Sequence, residues 1–415
     1  MKIINKLKNI VGEVNVLTGN NIKAYGTDWT GKYKSTPLAV VRPSTVIEVS
    51  KVVKFCSKNN IAMVPVSGNT GLSGGTSANN SVMISLERLN KIKKINVITQ
   101  TVTVEAGVIL SNLHEAVETH NLVFPLTFGA KGSVMIGGSL STNAGGSNVL
   151  KYGSTRTLCM GLEVVLPNGQ IMNLMSELHK DNTGYALKDL FIGAEGTLGL
   201  ITAAVLKLSP LPNAYATAMI ATTSLEKALK VLNIIQEKTG GGVEAFEYMP
   251  KNYIETYLLK VMDSKSPFDR LYDINIMLEI STTVSKEGAM LPNGKNQLTK
   301  TLEEALSELI ISEDILDAVI AQSESQRMEM WELREASAEI TITNDPLIIT
   351  DVAVPLDKVS VFIKKMDIVT QEIDPGSKSL TVAHLGDGNI HYAIYPTKFD
   401  EVLFDKLTNL SLIHI

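Results

Sequence analysis

Two histidines flank a Gly-Asp-Gly-Asn turn in Ala383-His-Leu-Gly-Asp-Gly-Asn-Ile-His-Tyr392. If one strand leads into this turn and another leaves it, His384 and His391 can turn two neutral imidazole nitrogens toward one ion. Two ligands do not complete a metal site, and a tight turn whose Asp and Asn stabilise its own backbone accounts for the polar residues equally well. Arg334, in Trp331-Glu-Leu-Arg-Glu335, carries a guanidinium fork that matches a carboxylate in a way Lys cannot. A surface ion pair with a Glu one helical turn away is the competing reading.

The third chemically suited segment is Pro65-Val-Ser-Gly-Asn-Thr-Gly-Leu-Ser-Gly-Gly75, where small residues and free backbone N–H groups can wrap an anion. It lacks the Gly-Lys-Ser/Thr ending of a P-loop. Gly240, Gly242 and Ala245 match the dinucleotide pattern loosely, but they follow a helical run where a strand is required. Taken alone, the Pro65 loop fits an ordinary turn as well as a phosphate cradle. A second cluster, Gly129, Gly132, Ser133, Gly137, Gly138, Ser139, Thr142, Asn143, Ala144, Gly145 and Gly146, followed by Tyr152-Gly153, favours the cradle. Each Gly costs unfolded-state entropy, and a large phosphate-bearing ligand is a common reason to retain many.

These segments need a scaffold, and 415 residues with 44% hydrophobic side chains supply one of two or three domains. With 38 basic against 43 acidic residues, a formal charge of -5 and no dense Lys/Arg run, a nucleic-acid footprint is absent and a small-molecule partner is favoured. Two cysteines, Cys56 and Cys159, exclude a disulfide framework or a Cys-built metal cluster, and both read as inert packing residues in a reducing compartment. No apolar run reaches the roughly 18 residues of a membrane span. Ile3, Ile4, Leu7, Ile10, Val11 and Val14 recur at helical spacing between Lys2, Lys6 and Lys8, which describes a packed amphipathic helix better than a targeting peptide.

Short β-rich runs at residues 39–42, 62–66, 81–85, 101–105, 159–166 and 197–208 alternate with helical runs at 46–59 and 111–119, giving an α+β nucleotide-binding domain. His114 and His120, in or just after the second helical run, read as surface or packing residues. Ser209-Pro-Leu-Pro-Asn213 breaks regular structure, so three segments are expected: a helix and lead-in over 1–34, the first domain over 35–210, and a smaller α+β domain over 211–415. The latter reads as helices at 224–238, 298–311 and around Trp331, with strands at 274–280, 348–354 and 381–384.

The Pro65 loop, Gly129-Ala-Lys-Gly-Ser-Val-Met-Ile-Gly-Gly138, Ser141-Thr-Asn-Ala-Gly-Gly146, Lys180-Asp-Asn-Thr-Gly-Tyr185 and Phe191-Ile-Gly-Ala-Glu-Gly-Thr-Leu-Gly199 together resemble the FAD-binding domain of vanillyl-alcohol-oxidase-type flavoproteins. Within that group they are similar to the branch with D-2-hydroxyglutarate dehydrogenase, D-lactate dehydrogenase and the glycolate oxidase FAD subunit. The resemblance implies an α+β fold: a two-subdomain FAD domain of the p-cresol-methylhydroxylase (PCMH) type, followed by an α+β cap. It also implies that FAD is held by Pro65, Val66, Ser67, Gly68, Asn69, Thr70, Gly71, Leu72, Gly132, Ser133, Ile136, Gly137, Gly138, Ser139, Thr142, Asn143, Gly145, Gly146, Tyr152 and Gly153, with Glu195, Gly196 and Ile201 lining the rest of the cleft. Some relatives attach FAD through a His in the first loop; Asn69 and Thr70 stand there, so non-covalent FAD is expected.

By the same resemblance, Arg334 binds the carboxylate of a D-2-hydroxy acid, and His384 and His391 bind a divalent metal, Zn2+ or a similar ion. Electrons pass to a quinone, a cytochrome or an electron-transfer flavoprotein. A cytoplasmic location, or a peripheral one at the inner face of a membrane, and a homodimer are compatible with the branch. In the family a Glu-His pair further along supplies the remaining ligand and a base, and no such pair follows His391. The chain therefore reads as truncated, ending in a helix-like stretch over 402–415. Ala338, Ile349 and Ala393 stand where close D-2-hydroxyglutarate relatives carry Thr, Lys and Asn, so a second substrate carboxylate would be poorly held. A flavin-binding chain without turnover and a subunit that borrows its missing ligand from a partner are the alternatives.

Overall fold

The computed structural model describes residues 2–28, 31, 33–292, 294–342 and 346–410. The chain divides into two compact units, Met1–Gly146 with Tyr152–Leu211, and Ser147–Lys151 with Pro212–Ile415. The second is as long as the first, against the expectation of a smaller one. The amphipathic helix Lys2–Val11 packs Leu7 and Val11 into the core of the first unit, and so is no separate lead-in.

The first unit carries two main sheets. In one, strand Val82–Ser85 lies between Ala39–Val41 and Met63–Val66, parallel to both. Parallel pairing needs a crossover, and helix Val46–Lys58 provides it. Thr45 accepts from the Glu48 N–H at its start, and Glu48 Oε2 accepts from Ser44 N, so the orphan donors of the first turn are satisfied reciprocally. Val49, Val52, Val53 and Cys56 then recur on one face and bury against Ala39, Val41, Val82 and Ile84. The other sheet is antiparallel, in the order Ile92–Asn96, Thr101–Glu105, Leu200–Lys207, Cys159–Val165, Ile171–Leu174.

Both cysteines are buried; desolvation pushes the Cys56 thiol up to about 11 and the Cys159 thiol up to about 12. With almost no thiolate at pH 8, iodoacetamide is expected to alkylate neither until the chain unfolds, and mass spectrometry before and after denaturant reads this directly.

The second unit is a seven-stranded sheet, antiparallel in every described pairing, in the order Asp317–Ile320, Ala214–Thr222, Ile274–Thr282, Val243–Pro250, Lys378–His384, Asn389–Tyr395, Ile348–Ala353. One face packs on helices Leu225–Lys238, Gln297–Ile311, Val359–Ile373 and Glu401–Asn409. The other packs on Lys251–Lys260, Glu324–Glu335 and Ser337–Ile342. Ala214–Thr222 and Val243–Pro250 escape the sequence reading. The first is rich in Ala, which strands disfavour, and both are buried on two faces, which erases alternation. Residues 411–415, the end of the stretch read as helical, lie outside the described residues. No described helix is long and apolar enough to cross a membrane.

Candidate functional site

A central strand covered on both faces should be apolar, yet Val243–Pro250 and Ile274–Thr282 carry Glu244, Glu247 and Glu279, each at most 3% exposed. A buried carboxylate requires a cation or several donors. Glu279 accepts from Arg327 Nε at 2.7 Å and Nη2 at 3.0 Å, from Trp331 Nε1 at 2.8 Å and from Thr217 Oγ1 at 2.6 Å. Glu244 accepts from Lys151 Nζ at 3.1 Å and from Ser281 Oγ. Glu247 accepts from Arg334 Nε at 2.7 Å and lies 2.9 Å from His384 Nδ1. Ser323 caps helix Glu324–Glu335, and spacing along it puts Arg327, Trp331 and Arg334 on one stripe facing the sheet.

The two arginines of that stripe differ in what remains free. Arg327 spends Nε and Nη2 on Glu279 and Nη1 on Glu324 at 2.7 Å, with its guanidinium 4.4 Å from the Tyr215 ring centre. It borders a cavity of about 210 Å³, with each of its three guanidinium nitrogens already in a hydrogen bond. Arg334 is buried, bonds Glu247 through Nε alone and Ser337 Oγ through Nη1 at 3.1 Å, and keeps Nη2 buried without a partner among the described residues. Its counter-charge is thus 87 residues away on a strand, not one turn away on a surface. Burial alone would raise the Glu247 carboxyl, but the adjacent His384 and Arg334 outweigh it and bring it down to about 2.

His384 ends strand Lys378–His384 and His391 lies in Asn389–Tyr395, so the hairpin makes them diagonal neighbours on one face. Their rings meet edge to face with centres 5.3 Å apart. Burial holds the His391 imidazole below its ordinary value, against the pull of Asp351, whose Oδ2 is 3.6 Å from Nδ1. The Asp and Asn of the turn are spent locally: Asp387 Oδ1 accepts from Asn389 N, and Asn389 Nδ2 donates to Asp351 Oδ1 at 2.6 Å. Gly388 has φ 81°, and a Cβ there would strike the Val354 carbonyl, so only Gly closes this turn. Among the described residues no group of three His, Cys, Asp or Glu is placed to hold a metal ion. The two imidazoles are brought together; a complete donor set is not.

In the first unit the Gly-rich segments converge. Gly68 lies against the Ser133 carbonyl and Val134, Gly138 against Ser67, Gly75 beside the Glu195 carboxylate and Gly196 against Pro65. Asn69, at φ 52°, donates through Nδ2 to Thr27 O at 3.0 Å and accepts from Thr76 Oγ1 at 2.7 Å, which fixes the first loop. Asn143 accepts from Arg156 N, and the Arg156 guanidinium donates to the Asp189 and Ile192 carbonyls, tying the segment around Asn143 to the start of the Phe191–Gly199 segment. Gly71, Gly129 and Gly132 have nothing within 4 Å of where a Cβ would stand. Exposed backbone donors, small hydroxyls and open space suit a pyrophosphate and its attached groups. Ile136 and Ile201 bury their side chains in the core of this unit, so only their backbone groups are left for a cofactor. His114 is a packing residue, with Nε2 3.0 Å from the Phe124 carbonyl oxygen.

Glu247 and Arg156 were missed by sequence reasoning. Two charged residues, Glu244 and Glu247, inside the otherwise apolar run at 243–250 were the available signal for Glu247; nothing local marked Arg156.

Comparison with known proteins agrees with this division. Residues 37–175 match the model of an FAD binding domain, and residues 211–410 that of the C-terminal domain of FAD linked oxidases. D-2-hydroxyglutarate dehydrogenase of Stutzerimonas stutzeri is 33% identical over 397 residues, covering 94% of this chain and 82% of the relative. The mitochondrial D-2-hydroxyglutarate dehydrogenase of Arabidopsis thaliana is 32% identical over 404 residues, covering 97% and 70%. Among solved structures, p-cresol methylhydroxylase with substrate bound superposes with a TM-score of 0.73 at 16% identity, covering 99% of this chain and 86% of that one. Alkyldihydroxyacetonephosphate synthase gives 0.73 at 16% identity, covering 100% and 79%. These two share the fold, which is the PCMH-type architecture expected from the loops. The chain belongs to the family of FAD-linked oxidases.

Proposed function

We propose that this protein is an FAD-dependent dehydrogenase that oxidises a D-2-hydroxy acid to the 2-oxo acid. The observation that carries the reading is Arg334: a buried guanidinium, held side-on by Glu247, with one buried donor left over. A substrate carboxylate is the partner whose chemistry fits that donor. The segments from Pro65 to Leu72 and Gly132 to Gly146, with Tyr152, Gly153, Glu195 and Gly196, are assigned to FAD. When bound, FAD would supply the acceptor for the hydride leaving C2 of the substrate.

The chain's own residues do the rest. Arg334 Nη2 fixes the carboxylate and so the position of C2. His384 faces Glu247 with Nδ1, which leaves the Nε2 lone pair as the donor it would offer to a divalent ion. His384 and His391 are the pair we assign to that ion, but the described residues complete no such site and no step is derived through one. The oxidation gives up a hydride from C2 and a proton from the hydroxyl, and no base for that proton is assigned among the described residues. Electron transfer onward to a carrier or quinone is part of the proposal and rests on the family resemblance.

Ile349 and Ala393 are cross-strand partners, and Ala338 lies in the short helix Ser337–Ile342 that follows the helix of Arg334; none of the three side chains offers a hydrogen bond or charge to a distal carboxylate. Losing such a contact is worth about 1.5–3 kcal/mol. Anaerobic mixing of the flavin-loaded protein with D-lactate is therefore expected to bleach the flavin absorbance with a kcat/KM at least tenfold above that for D-2-hydroxyglutarate. L-lactate should leave it oxidised. A second reading is a flavin-binding chain without turnover. Flavin that stays oxidised with every D-2-hydroxy acid would establish it.

A further inference from the structure

Arg156 sits in the short helix Thr155–Leu158, immediately ahead of strand Cys159–Val165, which is paired on both sides in the antiparallel sheet of the first unit. Thr155 and Leu158 of the same turn are buried, and Thr155 donates through N and Oγ1 to the Ala144 carbonyl at 3.1 and 2.6 Å. The Arg156 backbone is therefore mounted on the sheet, and its side chain reaches 33 and 36 residues along the chain. Nη1 donates to the Asp189 carbonyl at 2.8 Å and Nη2 to the Ile192 carbonyl at 2.6 Å. Both carbonyls lie at the end of the four-residue helix Lys188–Phe191, where the last carbonyls find no partner within the helix itself.

The turn that follows needs holding. Glu195 has φ 51°, a left-handed conformation uncommon for a residue with a long side chain, between Gly193 at 81° and Gly196 at 78°. Such a residue persists only where its surroundings over-determine it. Here Gly193 N donates to Leu140 O at 3.0 Å and Glu195 N to Ser141 O at 2.8 Å, so the turn is stitched to the end of helix Ile136–Ser141. Arg156 fixes the entry to this turn through its side chain, and through its own N–H it fixes Asn143, at φ 48°. Glu195 and Gly196 in turn stand against Gly75 and Pro65 of the first loop. All of these contacts lie within the first unit.

We infer that Arg156 is a positioning residue for FAD: it holds the turns at Asn143 and Glu195 in the shape the cofactor meets, so that binding does not have to order them. This role rests on the assignment of these loops to FAD above and deepens it with a residue outside them. A guanidinium suits the task, because its rigid fork sets two donors on two carbonyls at once, which a Lys ammonium on a flexible stem does less well.

The full chain, stripped of flavin, is titrated with FAD and followed by flavin fluorescence. Arg156→Met is expected to weaken FAD binding at least about tenfold, as for loss of a charge-assisted hydrogen bond. Arg156→Lys should fall between Met and wild type, with a loss of at least about threefold, and carries the test alone if the Met variant does not fold. Leu7→Ala truncates a fully buried residue of helix Lys2–Val11, outside every loop assigned to FAD, and controls for a purely structural effect. It should lower the thermal midpoint and leave FAD affinity within about threefold of wild type.

Hydrogen exchange of the flavin-free chain reads the positioning without any cofactor. In Arg156→Met the peptide spanning 189–199 should exchange at least about tenfold faster than in wild type, while one from strand Thr101–Glu105 exchanges as before. A wild type that binds FAD beside an Arg156→Met that binds it equally well overturns the inference and leaves the flavin reading standing. Leu7→Ala losing as much affinity as Arg156→Met reduces Arg156 to a structural residue and overturns it too. So does lost affinity with unchanged exchange over 189–199, since Arg156 would then meet the cofactor itself. A wild type that takes up no FAD sinks the flavin reading, and with it any cofactor role for Arg156.

Discussion

Arg334→Met is expected to lower kcat/KM for a D-2-hydroxy acid by about 10²–10³-fold and to destabilise the second unit at the same time. The kinetic loss follows from removing the charge and the Nη2 donor that meet the carboxylate, each such charge-assisted contact being worth about 1.5–3 kcal/mol. The stability loss has another origin. Glu247 is 1% exposed, and Met leaves it without its guanidinium. Breaking one half of a buried ion pair typically costs about 3–5 kcal/mol, because the remaining charge keeps its desolvation penalty.

The pH dependence shows which loss is which. In the wild type, Glu247 titrates near 2 when folded against an ordinary value of 4.5, a depressed folded pKa. Its contribution to stability is therefore present above 4.5 and disappears as pH falls toward 2. Without Arg334 the carboxyl rises, the window narrows, and acid unfolding should begin at a higher pH. Arg334→Lys restores a positive charge but not the fork, so it should recover part of the thermal stability and little of kcat/KM. An Arg334→Met variant within tenfold of wild type in kcat/KM would remove the carboxylate role altogether.

Arg334 also shows where sequence reasoning stops. Its residue type and neighbours suggested a carboxylate partner, but the competing local Glu could be dismissed only once Glu247 was found 87 residues earlier in the chain. Glu247 lies in a strand buried on both faces and interrupted by a bulge between Val243 and Ala245, so no alternation of polar and apolar positions announces its orientation. Its two partners come from a helix and a distant strand. Pairings of that kind are written in the topology and in no window of sequence.

The His384–His391 pair was legible because both residues belong to one hairpin, and a tight turn fixes their spacing. The close-packed Gly-rich loops were legible for a similar reason: close approach and positive φ demand Gly or Asn locally, at Asn69, Asn143, Gly153 and Gly196 among others. Strand Ala214–Thr222 was not, since its Ala residues carry weak propensity and only its burial between two neighbours makes it a strand. Local chemistry was readable; long-range pairing of buried charge was not.

The proposed flavin cradle makes an equally sharp prediction at Gly68. A methyl group there would overlap the Ser133 carbonyl and stand 3.1 Å from Val134 Cα, both of them backbone atoms of the neighbouring loop. Neither loop can give way cheaply, because Asn69 is tied to Thr27 and Thr76 immediately beside it, and Ser133 N donates to Ala130 O. Gly68→Ala should therefore cost about 1–3 kcal/mol in overpacking and displace the backbone N–H groups that would face the pyrophosphate. Protein purified with this change is expected to have lost most of its flavin, read as the ratio of visible to 280 nm absorbance, with FAD affinity down at least tenfold. Gly71→Ala separates the two effects. Nothing lies within 4 Å of a Cβ at that position, so the thermal midpoint of the flavin-free protein should not change, and a fall in FAD affinity can come only from a methyl group placed where the cofactor would lie. If both variants bind FAD like the wild type, the Pro65 loop is an ordinary turn and the cofactor must be held elsewhere in the first unit.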